Sequence, residues 1–138
     1  MASGYIIDTS AVIKYLNGSF PQTALEFMDG AVDGGSSLSF ISEIELQVWT
    51  PENPDDLSVY QQFVSGSIII GVDENIIAET IRIRKSYKIK LPDALIAATA
   101  IVNGLTLIAD NDKDFLRVQT LEYINPKTIN PKHLERRP

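Results

Sequence analysis

The sequence predicts a parallel α/β fold, a short central sheet with helices on both faces, and three observations carry that expectation. Short apolar runs alternate with longer segments of helical periodicity along most of the chain. The connections between them are short, which suits right-handed crossovers between parallel strands. The chain has 138 residues, 44% of them hydrophobic and 22% charged, as expected for one globular domain spanning 1–138. A domain of that size buries roughly two-thirds of its unfolded surface and needs no staples.

The elements follow in order. Residues 4–7 (GYII) are a buried strand that delivers Asp8 at its C-terminal end. Thr9–Ser10 open a helix with Val12, Ile13, Tyr15 and Leu16 at helical spacing, and Asn17–Gly18 stop it. A second helix is expected from Pro21 to Asp29, closed by glycine, and Gly34–Gly35–Ser36 form a loop before a strand at 37–40. A short helix follows from about Ser42 to Trp49, and Pro51 and Pro54 break the chain before a helix at 55–64. A strand at 67–71 leads into a long helix from Asp73 to Tyr87. Leu91–Pro92–Asp93 begin an unusually apolar helix, ALIAATAIV, closed by Asn103–Gly104. A strand at 105–109, the acidic turn DNDKDF and a strand at 121–124 complete the domain, with a loosely docked tail expected over 125–138.

Composition excludes several kinds of chemistry. There is no cysteine, which removes disulfides, thiolate nucleophiles and nearly every structural zinc site. The single histidine, His133, sits in the polar tail, so a Ser-His-Asp triad is a poor match. No apolar run approaches the ~20 residues of a membrane span, and the N-terminus MASGYIID lacks the features of a signal peptide, so a cytoplasmic protein with no membrane partner is expected. The net charge of −6 is unevenly spread. Residues 1–81 hold twelve acidic side chains against Lys14 alone, whereas 82–138 hold eleven basic against six acidic. Such polarity suggests acids gathered for a purpose.

Ligands of open parallel sheets bind at the carboxyl ends of the strands. That rule brings together Asp8, Glu45, Asp93 and the turn acids Asp110, Asp112 and Asp114. Each has a purely structural alternative. Asp8 suits an N-cap, Glu45 lies three residues after Ser42 as in a capping box, Asp93 suits the first turn of a helix, and aspartates commonly close turns. As a group they ask for more, because clustered carboxylates repel one another. A hard divalent cation, Mg²⁺ or Mn²⁺, relieves that repulsion through oxygen ligands alone, and it can activate water against a phosphodiester.

The strings IIDTSAVIKYL, SFISEIELQVW, LPDALIAATA and LIADNDKDF, in this order over residues 5–124, resemble the motifs of the PIN-domain family, most nearly the VapC-type toxins of type II toxin–antitoxin systems. The resemblance implies a PIN-like three-layer α/β/α fold and a Mg²⁺- or Mn²⁺-dependent endoribonuclease. It further implies an RNA substrate, inhibition of translation, silencing by a cognate antitoxin protein, and a homodimer. Matched residue by residue, it places catalytic and metal-binding acids at Asp8, Glu45 (rather than Glu43) and Asp93. Family members carry a threonine where Ala109 or Asp110 stands here. The fourth acid is accordingly Asp112, with Asp114 next and Asp110 third. Ser10 matches a small polar residue that would hold a metal-bound water.

The run RIRKSYKIK at 82–90 supplies a cationic rim beside Asp93, with Arg82, Lys85, Lys88 and Lys90 as expected substrate contacts, although such runs are often solvated helix faces. Tyr15, Leu16, Phe20 and Trp49 are apolar candidates for an antitoxin contact, or simply core. Two other enzyme classes fit poorly. A haloacid-dehalogenase-type phosphatase needs an aspartate where Ser10 stands, and a response-regulator receiver needs an acidic pair after the first strand and a mid-chain aspartate at a strand end. The competing reading from a different class is a catalytically inactive PIN-like module that binds RNA or protein.

Overall fold

The computed structural model describes residues 4–129. Five strands form one all-parallel sheet: β1 (Tyr5–Ile7), β2 (Ser37–Ser39), β3 (Ile68–Ile70), β4 (Thr106–Ile108) and β5 (Tyr123–Ile124), in the order β3-β2-β1-β4-β5. Among the described residues seven α-helices flank it: α1 (Thr9–Leu16), α2 (Gln22–Asp33), α3 (Phe40–Val48), α4 (Leu57–Ser65), α5 (Glu74–Ser86), α6 (Leu91–Val102) and α7 (Asp112–Phe115). The three-layer α/β/α architecture expected from the sequence is the one observed.

Alternate residues of each central strand serve opposite layers, as the two-residue period of a strand requires. Ile6 and Leu107 share a core with Ile76 and Ile83 of α5 and with Ile96 and Ala97 of α6. Their neighbours Ile7 and Ile108 share the other core with Val12 of α1, Phe27 and Met28 of α2, and Leu46 of α3. Each such side chain contributes roughly 1.5–3 kcal/mol on burial. Strands this short are therefore held chiefly by packing on both faces. Helix α6 buries nearly every position from Ala94 to Ala100, and its alanines let the sheet and α5 approach closely.

Four local expectations are corrected. Helix α2 runs through Gly30, because Met28 and Ala31 on either side of it are buried in the core, and it closes at Gly34, followed by Gly35 at φ +88°. Helix α3 begins two residues before Ser42, capped by Ser39, whose Oγ accepts the Ile41 N–H at 3.1 Å. The acidic turn contains a helical turn, α7, capped by Asn111, whose Oδ1 accepts from the Asp114 N–H at 3.3 Å. Residues 125–129 are not loose, since Asn125 and Pro126 are buried and Ile129 packs against the second core; 130–138 lie outside the described residues. Among the described residues, no helix is long and apolar enough to cross a membrane.

Candidate active site

The strand order decides where the sheet opens. From β1 the chain moves outward through β2 and β3, then returns to the other side of β1 for β4 and β5. The carboxyl ends of β1 and β4 therefore form the crevice where connections diverge. Ile7 pairs with Ile108, and the Asp8 N–H donates to the Ile108 carbonyl at 2.9 Å, so the residues leaving the two strands start side by side.

A cavity of about 330 Å³ at this point is lined by Asp8, Thr9, Ser10, Ile13, Glu45, Asp93, Asp110 and Asn111. Asp8 occupies the N-cap position of α1, yet its side chain forms no cap hydrogen bond; instead its Oδ2 accepts the Ser10 hydroxyl at 2.8 Å. Glu45 cannot close a capping box with Ser42, because Ser42 is itself inside α3. Thr9 Oγ1 lies 2.6 Å from Glu45 Oε1 and 2.9 Å from Ser42 Oγ. The threonine has one proton, which goes to the carboxylate and leaves Ser42 to donate the second bond. Asp93 enters from the first turn of α6, behind Pro92. The capping-box role thus fails for Glu45, and three separate elements converge on one opening.

The electrostatics report the crowding. Burial pushes the Asp8 carboxyl up, opposed by the Ser10 hydroxyl and the backbone N–H groups of Ser10 and Thr9, and reinforced by the charge of Glu45. Asp93 is pushed up to about 6 by partial burial, then by the charges of Asp8, Asp114 and Glu45, with Lys90 opposing. Asp110 moves the other way. Its Oδ2 receives Lys14 Nζ at 2.5 Å and lies 3.4 Å from Lys127 Nζ, and its Oδ1 receives Asn125 Nδ2 at 2.9 Å, so these partners hold it below its ordinary value.

Oxygen donors that raise one another's pKa are the donor chemistry of a hard divalent cation. The carboxylates line a common cavity without being gathered at one point. Among the described residues no group of three or more His, Cys, Asp or Glu stands close enough to hold a metal ion.

The turn after β4 departs from expectation. Asp112 does not line this cavity; it faces β5, where its Oδ1 receives the Tyr123 hydroxyl at 2.7 Å and Asn125 Nδ2 at 3.0 Å. Tyr123 also accepts the Asn111 N–H at 2.9 Å, so one phenol sets the path of the turn. Asp114 lies two residues on in α7, hydrogen-bonded by Asn111 Nδ2 and ion-paired with Arg117 at 3.2 Å. Its charge, with those of Asp8 and Glu45, raises Asp93.

The basic run divides. Arg82 pairs with Glu79 and reaches Thr120 at 3.2 Å, Arg84 donates to the Ile89 carbonyl at 2.6 Å, and Lys85 is exposed and lines neither of the cavities described here. Lys88 and Lys90 line a second cavity with Lys113, Asp114 and Arg117. Phe20 is buried in core, and Trp49 packs edge-on against Tyr60 at 5.1 Å, which answers for their apolar character. Thr9, Lys14, Tyr123 and Asn125 were missed. Lys14, the one cation in the acidic half, was the signal available in sequence; for the other three none was, since their partners are 11 to 36 residues away.

The PIN-domain model matches residues 5–121, most of the chain and all of the elements that build the cavity. The chain belongs to the PIN-domain family. Solved structures similar to this PIN domain include the following. A toxin–antitoxin complex from Klebsiella pneumoniae matches at 26% identity and a TM-score of 0.72, covering 91% of this chain and 100% of that one. DNA-bound VapBC from Salmonella typhimurium matches at 20% identity and a TM-score of 0.76, covering 91% and 99%. FitAcB from Neisseria gonorrhoeae matches at 23% identity and 0.72, covering 91% and 99%. At those last two identities the likeness concerns the fold. No curated protein matches the sequence significantly.

Proposed function

We propose that this PIN domain is a VapC-type toxin, a Mg²⁺- or Mn²⁺-dependent endoribonuclease that cuts RNA phosphodiester bonds to inhibit translation in the cytoplasm. In this reading a cognate antitoxin silences it, and it acts as a homodimer. The observation that carries the reading is that Asp8, Glu45 and Asp93, from three elements, line one cavity at the crevice beside β1 and β4. The resemblance to toxin–antitoxin structures supports the biological setting.

Asp8, Glu45 and Asp93 line one cavity and would have to draw together to hold the cation; Asp114, hydrogen-bonded by the cavity residue Asn111 at 3.1 Å, is preferred as the fourth acid to Asp112, which Tyr123 and Asn125 engage. When bound, the divalent cation supplies charge neutralisation and an activated water for phosphodiester hydrolysis. The chain's own residues prepare the site. Ser10 orients Asp8 and Thr9 orients Glu45 through their hydroxyls. Lys14 and Lys127 neutralise Asp110, so one fewer negative charge faces an incoming phosphate. Asp93 takes up a proton near pH 6, so metal occupancy and activity should rise as pH passes above that value.

The absence of a tight carboxylate cluster among the described residues favours a second reading, a non-catalytic module that binds RNA or protein. A fluorogenic RNA titrated with Mg²⁺ and Mn²⁺ separates the two. The enzyme reading expects cleavage that depends on the cation and is lost in excess EDTA and in Asp93→Asn. Cleavage undiminished in EDTA, or no cleavage at any metal concentration, would overturn it.

A further inference from the structure

The second cavity, of about 590 Å³, is lined by Lys88, Lys90, Lys113, Asp114 and Arg117. Two chain segments build it. Lys88 and Lys90 come from the α5–α6 connection, and Lys113, Asp114 and Arg117 come from α7 and the turn after it. Arg117 joins them: its Nε donates to the Lys113 carbonyl at 3.0 Å, and its terminal nitrogen donates to the Lys88 carbonyl at 2.9 Å and to Asp114 at 3.2 Å. Among the described residues the three lysines, like Arg84 and Lys85, have no carboxylate partner, but they alone of these line this cavity. Lys14 and Lys127 pair with Asp110 and Arg82 pairs with Glu79, whereas among the described residues Lys88, Lys90 and Lys113 form no ion pair. Four cations around one carboxylate, in a concavity fixed by a bridging arginine, repel one another until an anion enters. A merely solvated face requires neither the concavity nor the bridge.

The position says which anion. Asn111, which lines the acidic cavity, donates its Nδ2 to Asp114 of this one at 3.1 Å, and Lys90 stands three residues before Asp93 on the same helix start. The two cavities therefore adjoin across Asp93 and Asp114, one acidic and one basic. A strand whose reacting phosphate lies beside Asp93 places a neighbouring phosphate among the lysines. A concavity of this size suits a single strand better than the broad convex face of a duplex. Its place beside the cavity of Asp8, Glu45 and Asp93 favours a phosphate of the substrate over an acidic peptide, which those carboxylates would repel. We infer that the cavity of Lys88, Lys90, Lys113 and Arg117 seats a backbone phosphate of single-stranded RNA next to the one that is cut; this rests on the ribonuclease reading and names how its substrate is held.

The test is binding of a fluorescein-labelled oligouridine of about a dozen nucleotides, in EDTA, read by anisotropy between about 50 and 300 mM salt. The double variant Lys88→Ala with Lys113→Ala should bind roughly tenfold more weakly at low salt, with a salt slope smaller by about 1.4, two contacts at about 0.7 each for a single strand. Lys85→Ala, an equal loss of charge per residue outside the cavity, should leave the slope at the parent value. Circular dichroism confirms that each variant is folded, and Lys90→Ala, tested alone, should lower the slope by about 0.7 if the double variant is not. A parent-like slope in the double variant, an equal loss in Lys85→Ala, no binding by the parent, or tighter binding of a polyglutamate peptide than of oligouridine would each overturn the inference. The two readings fail separately. A parent that cleaves RNA while the double variant binds normally sinks the cavity assignment alone. A parent that binds through these lysines but cleaves nothing with Mg²⁺ or Mn²⁺ sinks the enzyme reading alone.

Discussion

Replacing Asp93 by asparagine should stabilise the metal-free protein while removing its activity. Asp93 has its pKa raised from 3.8 to about 6, first by burial and then by the charges of Asp8, Asp114 and Glu45. Between those two values the folded state holds more protons than the unfolded chain, so stability falls as pH rises across the window. The cost is absent below 3.8 and complete above about 6. Fully expressed, a displacement of this kind is worth roughly 3 kcal/mol. Asp93 is only partly buried, and solvent screening reduces the figure to roughly 1–2 kcal/mol. For a chain of this length that is a rise in Tm of roughly 3–8 °C. The assay is thermal unfolding in EDTA, parent against Asp93→Asn, from about pH 4 to pH 8. The expected gain is largest above pH 6 and fades toward pH 4. A variant that is less stable than the parent at neutral pH, or a gain that does not change with pH, would refute the argument from carboxylate crowding.

Three further outcomes are expected. Glu45→Gln should cost at least about a hundredfold in RNA cleavage, whereas Glu43→Gln should be nearly silent, because Glu45 lines the cavity and Glu43 does not; equal losses in a fluorogenic assay would show that the wrong glutamate has been chosen. Tyr123→Phe deprives Asp112 of a donor and the Asn111 N–H of its acceptor, and should lower stability by roughly 1–3 kcal/mol in urea unfolding, with faster amide exchange at Asn111. An unchanged midpoint would mean that the phenol does not organise the turn. Ser39→Ala removes the cap of α3 and should cost about 1 kcal/mol, while Ser42→Ala should show none of the signature of a lost cap; a larger loss of helix α3 protection at Ser42 would restore the capping-box reading.

Much of this molecule is legible without coordinates because its information is local. The strands are brief apolar runs, and α1, α5 and α6 start and stop at residues with capping or helix-ending preferences: Asn17–Gly18, Asp73, Pro92 and Asn103–Gly104. Alternation of strand and helix then implies a parallel sheet, and a parallel sheet places its ligand at the carboxyl ends. From these alone Asp8, Glu45 and Asp93 could be nominated together. Where local rules compete, the tertiary structure decided. Both Ser39 and Ser42 are acceptable caps for α3; Ser42 lies within the buried part of the helix, and only Ser39 stands at the end of a paired strand. Gly30 is an acceptable stop, but burial of the residues beside it carries α2 onward.

The acidic turn shows the boundary most clearly. Asp110, Asp112 and Asp114 are chemically alike and two residues apart, so nothing in their order says which faces the cavity. Their surroundings separate them: Lys14 from α1 and Lys127 take Asp110, Tyr123 and Asn125 take Asp112, and Asp114 is left beside Arg117 with its charge on Asp93. The basic run divides by the same cause, since Glu79 holds Arg82 while Arg117 helps shape the cavity that Lys88 and Lys90 line. The sequence by itself determined the layers, the strand exits and the kind of atoms at the site, because hydrophobic period, capping and donor chemistry are properties of neighbouring residues. Which acid and which cation face the opening was decided only in the folded chain, because a charge is directed by partners that the sheet brings from as many as 96 residues away.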